Sequence, residues 1–228
     1  MESPPIVIRP PSYLAVLLAG TTACASGAPV QPGAAAPVAA AADTAMRPLA
    51  SLADARVVVV PVQSLRAGDT LGFAAAAGEP RAYLALLDDE IAFALEERGL
   101  RPAWASGVET ARMARRNPTF GVDAYALDAG ELRTDPKKGG PELTPGLSSR
   151  LRALAALHGA RYVVVPVELR FAGPRGAGRA VLRVVAIDAR AAQLAWSGDV
   201  SSDPSSAFSP ALAAGVAERL ADLITAAR

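Results

Sequence analysis

One cysteine and one histidine in 228 residues leave little room for thiol or metal chemistry. A single cysteine excludes an internal disulfide and any multi-cysteine metal site. With His158 as the lone histidine, no metal site and no cofactor is expected. Aromatic residues are scarce at 5%, and much of the 51% hydrophobic fraction is alanine, so the core must rest on Val, Leu and Ile. Charge of one sign is also lacking. Lys+Arg is 23 against 22 Asp+Glu, a net +1, which removes the bulk electrostatic case for nucleic acid or an anionic membrane surface. Arg112, Arg115 and Arg116 form one small basic cluster and Lys137 and Lys138 another, both read as solvated surface charge.

Residues 13–20 (YLAVLLAG) form an apolar run of signal-peptide length, too short to span a bilayer as a helix. Arg9 precedes the run and small residues follow it at 21–27, completing the three parts of a secretory signal. The positive region is thin, and Pro4-Pro5 and Pro10-Pro11 are unusual there, so the true start could lie after Met1. The segment resembles a bacterial lipoprotein signal, in which small residues precede a lipid-modified cysteine. Ala23-Cys24 and the apolar run carry that resemblance, while Thr21 stands where the pattern prefers leucine. It implies lipidation at Cys24. Ala23-Cys24-Ala25 is also an A-x-A site, at which ordinary cleavage would discard the cysteine and free the protein. An uncleaved anchor or a cytosolic protein are the remaining readings. The only cysteine standing at this boundary favours lipidation. Residues 26–52 are rich in Ala, Pro and Gly without helical or strand period, and read as a disordered tether.

Residues 53–228 read as one α/β domain of roughly 170 residues. Residues 56–62 (RVVVVPV) suggest a strand buried on both faces with parallel neighbours, Pro61 marking its end. Residues 63–80 read as a loop. Leu84, Leu87, Ile91 and Leu95 give a helix over 83–98 capped by Gly99, with Asp88, Asp89 and Glu90 on its solvated face. A short strand at 100–105 and a helix at 107–116, ended by Asn117-Pro118, come next. Residues 128–146 read as a long exposed loop. A helix over 147–157 closes at His158-Gly159, the imidazole expected near the last carbonyls. The VVVPV pattern recurs at 161–171, a hairpin occupies 180–188 and 193–200, and a helix over 210–227 closes the chain. The order argues an α/β domain with a mixed central sheet of about five strands and helices packed on it.

These pieces resemble the exported domains related to the TolB amino-terminal domain, the CsgG-type curli secretion lipoproteins and the LpoB-type activators of penicillin-binding proteins. The matching residues are Val57 to Pro61, Leu84 to Gly99, Gly159 to Val165, and Leu182 to Asp188 with Trp196 to Gly198. The resemblance implies a bacterial cell-envelope protein that binds other proteins. The loop at 128–146 has no counterpart in that pattern, nor are the pore-forming segments of a CsgG-type channel present.

No residue is assigned a catalytic role. Adjacent Asp88, Asp89 and Glu90 point in different directions along a helix and do not converge. Residues 173–178 (GPRGAG) lack the G-K-[ST] ending and following helix of a phosphate loop, and read as a hairpin turn. No G-x-S-x-G frames Ser148, Ser149 or Ser197. Trp104 and Trp196 are assigned to core packing. The expected protein is a lipoprotein on the periplasmic face of the outer membrane, binding envelope partners, with a homo-oligomer open. Two alternatives stand beside it. One is a secreted or periplasmic hydrolase-like enzyme whose site forms only on folding, a deep pocket lined by Asp123, Asp128 or Glu131 with arginines. The other is a small-molecule binder with residues 120–132 as its lid. A shallow surface with an open sheet edge or an apolar patch favours partner binding.

Overall fold

The computed structural model describes residues 47–134 and 143–225. The signal segment, Cys24, Lys137 and Lys138 lie outside the described residues. Both VVVPV runs form strands, and they are neighbours. β1 (Val57–Val59) lies between β2 (Trp104–Ala105) and β3 (Tyr162–Ala172) and is parallel to both. β3 runs on into an antiparallel meander with β4 (Arg179–Asp188) and β5 (Gln193–Ser201). The result is a five-stranded mixed sheet in the order β2-β1-β3-β4-β5.

Helices cover both faces. α1 (Phe73–Ala76) and α2 (Pro80–Glu97) come after β1, α3 (Gly107–Arg116) after β2, α4 (Pro145–Leu157) leads into β3, and α5 (Ala211–Asp222) ends the domain. Leu87, Ile91 and Leu95 of α2 and Leu212, Val216 and Leu220 of α5 share one core with Val57 and Val59. Ala111 and Ala114 of α3 and Leu147, Leu151 and Leu154 of α4 share the other with Val58 and Val60. Alternate valines of β1 therefore feed opposite cores, which is why the run carries no polar position. Leu49 and Leu52, at the end of the expected tether, are buried in the first core.

Local chemistry sets the boundaries. Pro80 occupies the first turn of α2 while Glu79 accepts from the Ala82 N–H, and Gly99 leaves the helix at φ +69°. Ser106 and Glu109 form a reciprocal capping box on α3, and Thr144 caps α4. Among the described residues no helix is long and apolar enough to cross a membrane.

Several sequence expectations change. β2 contracts to Trp104–Ala105, because residues 101–103 turn. The expected loop at 63–80 contains α1, whose start is held by Asp69 accepting from the Leu71, Phe73 and Ala74 N–H groups. The expected loop at 128–146 begins with a 3-10 helix, Ala129–Arg133, that buries Ala129 and Leu132. Glu131 then accepts from both the N–H and hydroxyl of Thr144, joining the two ends of that segment. β3 carries a bulge between Pro166 and Glu168. Val163, Val165 and Val167 face the second core, but beyond the bulge Leu169 and Phe171 face the first. Glu168 is thereby buried, where Arg66 at 2.5 Å and Arg133 at 3.2 Å meet it.

Candidate functional site

A cleft of about 800 Å³ opens off the carboxyl end of β1. The chain leaves β1 for a helix on one face and enters β3 from a helix on the other. Open α/β sheets commonly bind ligands beyond the carboxyl ends of strands at such a crossing. One wall is the first half of α2, with Arg81, Leu84, Ala85 and Asp88. The facing wall is α3, with Ala111, Ala114 and Arg115, and the segment behind it, with Val122, Asp123 and Tyr125.

Close packing holds these walls. A Cβ on Gly107 would stand 3.0 Å from the main chain of Pro61, so glycine lets α3 begin directly against the end of β1. Thr110 Oγ1 donates to the Val59 carbonyl at 2.8 Å, fixing the next turn. Gln63 holds the outer wall: its side-chain NH2 donates to the Pro61 and Ala124 carbonyls, and its Oε1 accepts from the Leu127 N–H. Ala124 and Leu127 are buried in the second core. Residues 120–132, the lid of the small-molecule-binder alternative, thus bury Ala124, Leu127, Ala129 and Leu132 in the second core and wall the cleft.

Asp88 is the buried charge-bearing group of this cleft, only 4% exposed. That corrects the expectation that Asp88, Asp89 and Glu90 share a solvated face. Pro61, just past the end of β1, has no N–H to donate, and the following N–H, that of Val62, goes to Asp88 Oδ1 at 2.9 Å. Desolvation pushes the Asp88 carboxyl up to about 7, with a smaller push from Asp89 and an opposing pull from the Val62 N–H. The sequence held a signal for this placement. Asp88 lies four residues after Leu84 and three before Ile91, on the apolar stripe itself.

Charged groups of both signs surround it. Arg81 and Arg115 stand on opposite walls, and the Arg115 guanidinium lies over the Tyr125 ring, 5.6 Å from its centroid. Asp123 is exposed and accepts from the Tyr125 N–H at 2.9 Å. Of the three acids named for a pocket with arginines, Asp123 lines this cleft beside Arg81 and Arg115. Asp128 lines a separate depression with Arg133 and Arg150, and Glu131 is taken up by Thr144.

His158 lines a smaller cavity of about 320 Å³ with Trp104, Glu109, Met113 and Arg116. Its Nε2 is buried without a hydrogen-bond partner among the described residues, so this nitrogen does not cap α4 as expected. Desolvation lowers its pKa against the opposing pull of Glu109. Trp104 is buried, with Nε1 donating to the Leu52 carbonyl, while Trp196 packs half-exposed against the first core.

No family model matches the chain, and no curated protein matches it in sequence. Among solved structures it is similar to E. coli LpoB at 16% identity and TM-score 0.36, over 89% of this chain and 90% of that one. It is similar to a PelC dodecamer from Paraburkholderia phytofirmans at 13% identity and TM-score 0.35, over 76% and 91%. It is similar to the LpoB C-terminal domain from Salmonella enterica at 16% identity and TM-score 0.33, over 71% and 98%. At these identities the likeness is one of fold.

Proposed function

We propose that the chain is a bacterial envelope lipoprotein, anchored through Cys24, whose α/β domain docks a protein partner. The apolar run at 13–20, the cysteine at its end and the Ala/Pro-rich tether support the anchor. One surface feature carries the docking. Met113, Phe120 and Tyr125 are three of the four large hydrophobic side chains exposed among the described residues, and all lie on α3 or the turn behind it. Arg112, Arg115 and Arg116 share that helix, and none of them pairs with a carboxylate among the described residues. Met, aromatic residues and Arg are enriched at protein interfaces, and Tyr and Arg dominate their hot spots. The cleft lining gives less support to the hydrolase reading. Asp88 and Asp123 each accept from a main-chain N–H, and no nucleophile stands paired with a base there.

The test joins intact-mass analysis of the membrane-extracted chain to partner capture. The reading expects a mature chain beginning at a diacylglyceryl-modified Cys24, with the modification lost in Cys24→Ser. It expects a captured protein that is lost on Arg112→Glu with Arg116→Glu. An unmodified chain starting at Met1, or capture indifferent to those charge reversals, would overturn it.

A further inference from the structure

The cleft interior holds a built polar arrangement that adjoins the exposed α3 patch. Arg115 and Tyr125 belong to both, whereas Met113, Phe120, Arg112 and Arg116 lie outside the cleft lining, so the Arg112→Glu, Arg116→Glu reversal tests docking without altering a cleft residue. Arg81, Leu84, Ala85 and Asp88 lie at i, i+3, i+4 and i+7, one stripe of α2 facing the cleft. Asp88 closes the inner end of the stripe. Its Oδ1 accepts from Val62, and among the described residues nothing donates to its second oxygen. Arg81 stands at the outer end, exposed and without an acidic partner among the described residues, and Arg115 is on the opposite wall. Between these ends the surface is apolar, from Val62, Leu84 and Ala114.

The spacing selects a ligand. Seven helical residues separate Arg81 from Asp88 by about 10 Å along the axis, which about three extended residues span. The lining carries two arginines and two carboxylates, so it complements a ligand with both charges better than a polyanion. A volume near 800 Å³ suits a compact ligand of this size. We propose that this cleft binds a short zwitterionic peptide, its amino end on Asp88, its carboxylate at Arg81 and Arg115, and an apolar side chain against Val62 and Leu84. The ligand's ammonium supplies the donor that the second carboxylate oxygen lacks.

Binding of this kind is linked to protons. The groups facing Asp88 are Asp89 and Arg81 on α2, Arg115 on α3, Asp123 and Tyr125 on the outer wall, and the Val62 N–H. Since burial holds the carboxyl near 7, it must release its proton to receive an ammonium. Affinity therefore falls as pH drops below about 7.

Titration calorimetry of the full chain with Ala-Leu-Ala, its N-acetyl form and its C-terminal amide tests the site. Free Ala-Leu-Ala should bind at pH 7.5, and blocking either end should weaken binding about tenfold or more. Asp88→Asn should weaken it comparably and abolish the acid-side pH dependence. Arg81→Ala, an exposed change that leaves both cores intact, should weaken binding of the free peptide and shrink the difference between it and its C-terminal amide. Absence of binding at millimolar peptide, equal binding of blocked and free forms, or affinity that rises as pH falls would each overturn the proposal.

Discussion

The main-chain N–H of Val62 donates to Asp88 Oδ1 at 2.9 Å, tying the end of β1 to the middle of α2. The buried carboxyl gives the Val62 N–H, which lies past the end of β1, an acceptor away from water. This single bond places a titratable group at the base of the cleft.

That group has a pH signature. The Asp88 carboxyl titrates near 7 in the folded protein and near 3.8 when unfolded. The folded state therefore keeps a proton that the unfolded chain has released between those values. This contribution is fully present below about 3.8, declines as pH rises through 7 and is constant above. Asn at 88 still offers Val62 an acceptor but has no proton to lose. The stability of Asp88→Asn relative to the native chain should rise between pH 4 and pH 7, by at most about 4 kcal/mol. Urea melts across that range measure it, and a difference independent of pH would contradict the assignment.

Gly107 reports on the join between α3 and β1. A valine there would press its Cβ against the Pro61 main chain, which cannot rotate aside as a side chain can. Gly107→Val should cost about 1–3 kcal/mol in denaturant melts and disturb the cleft. Gly130→Ala, where nothing lies within 4 Å, should leave stability nearly unchanged.

Glu168 makes an asymmetric pair of predictions. Its side chain is 7% exposed, while Arg66 and Arg133 are about half exposed. Removing both arginines leaves a buried carboxylate uncompensated, whereas Glu168→Gln removes the buried charge and leaves two guanidinium groups in water. The Arg66→Ala, Arg133→Ala double variant should therefore lose more stability than Glu168→Gln, on the order of 1–3 kcal/mol against under 1. Equal losses in thermal melts would show the charge at 168 to be unimportant.

Much of the architecture was legible in the sequence because its signals are periodic. The β-branched run at 56–62 announces a strand buried on both faces, and residues 107–116, ended by Asn117-Pro118, give α3 at its observed limits. The misread parts are those where tertiary packing overrides local pattern. The charge of Asp88 argues for water, although its position on the Leu84–Ile91 stripe puts it inside. Residues 120–132 show no period, so the burial of Ala124, Leu127 and Leu132 depends on Gln63 reaching across 61 residues to Ala124. The bulge at Pro166 that turns Glu168 inward has no counterpart in VVVPVEL beyond the proline itself.

Site-specific photocrosslinking in intact envelopes addresses partner docking most directly. A photoreactive residue at Phe120 lies in the patch on α3 and its following turn, and one at Phe93, 62% exposed on α2, serves as the control. The docking reading predicts a discrete, reproducible adduct from position 120 that is absent from position 93 and lost when Arg112 and Arg116 are reversed to Glu. No discrete adduct at 120, or the same adducts from both positions, would contradict it.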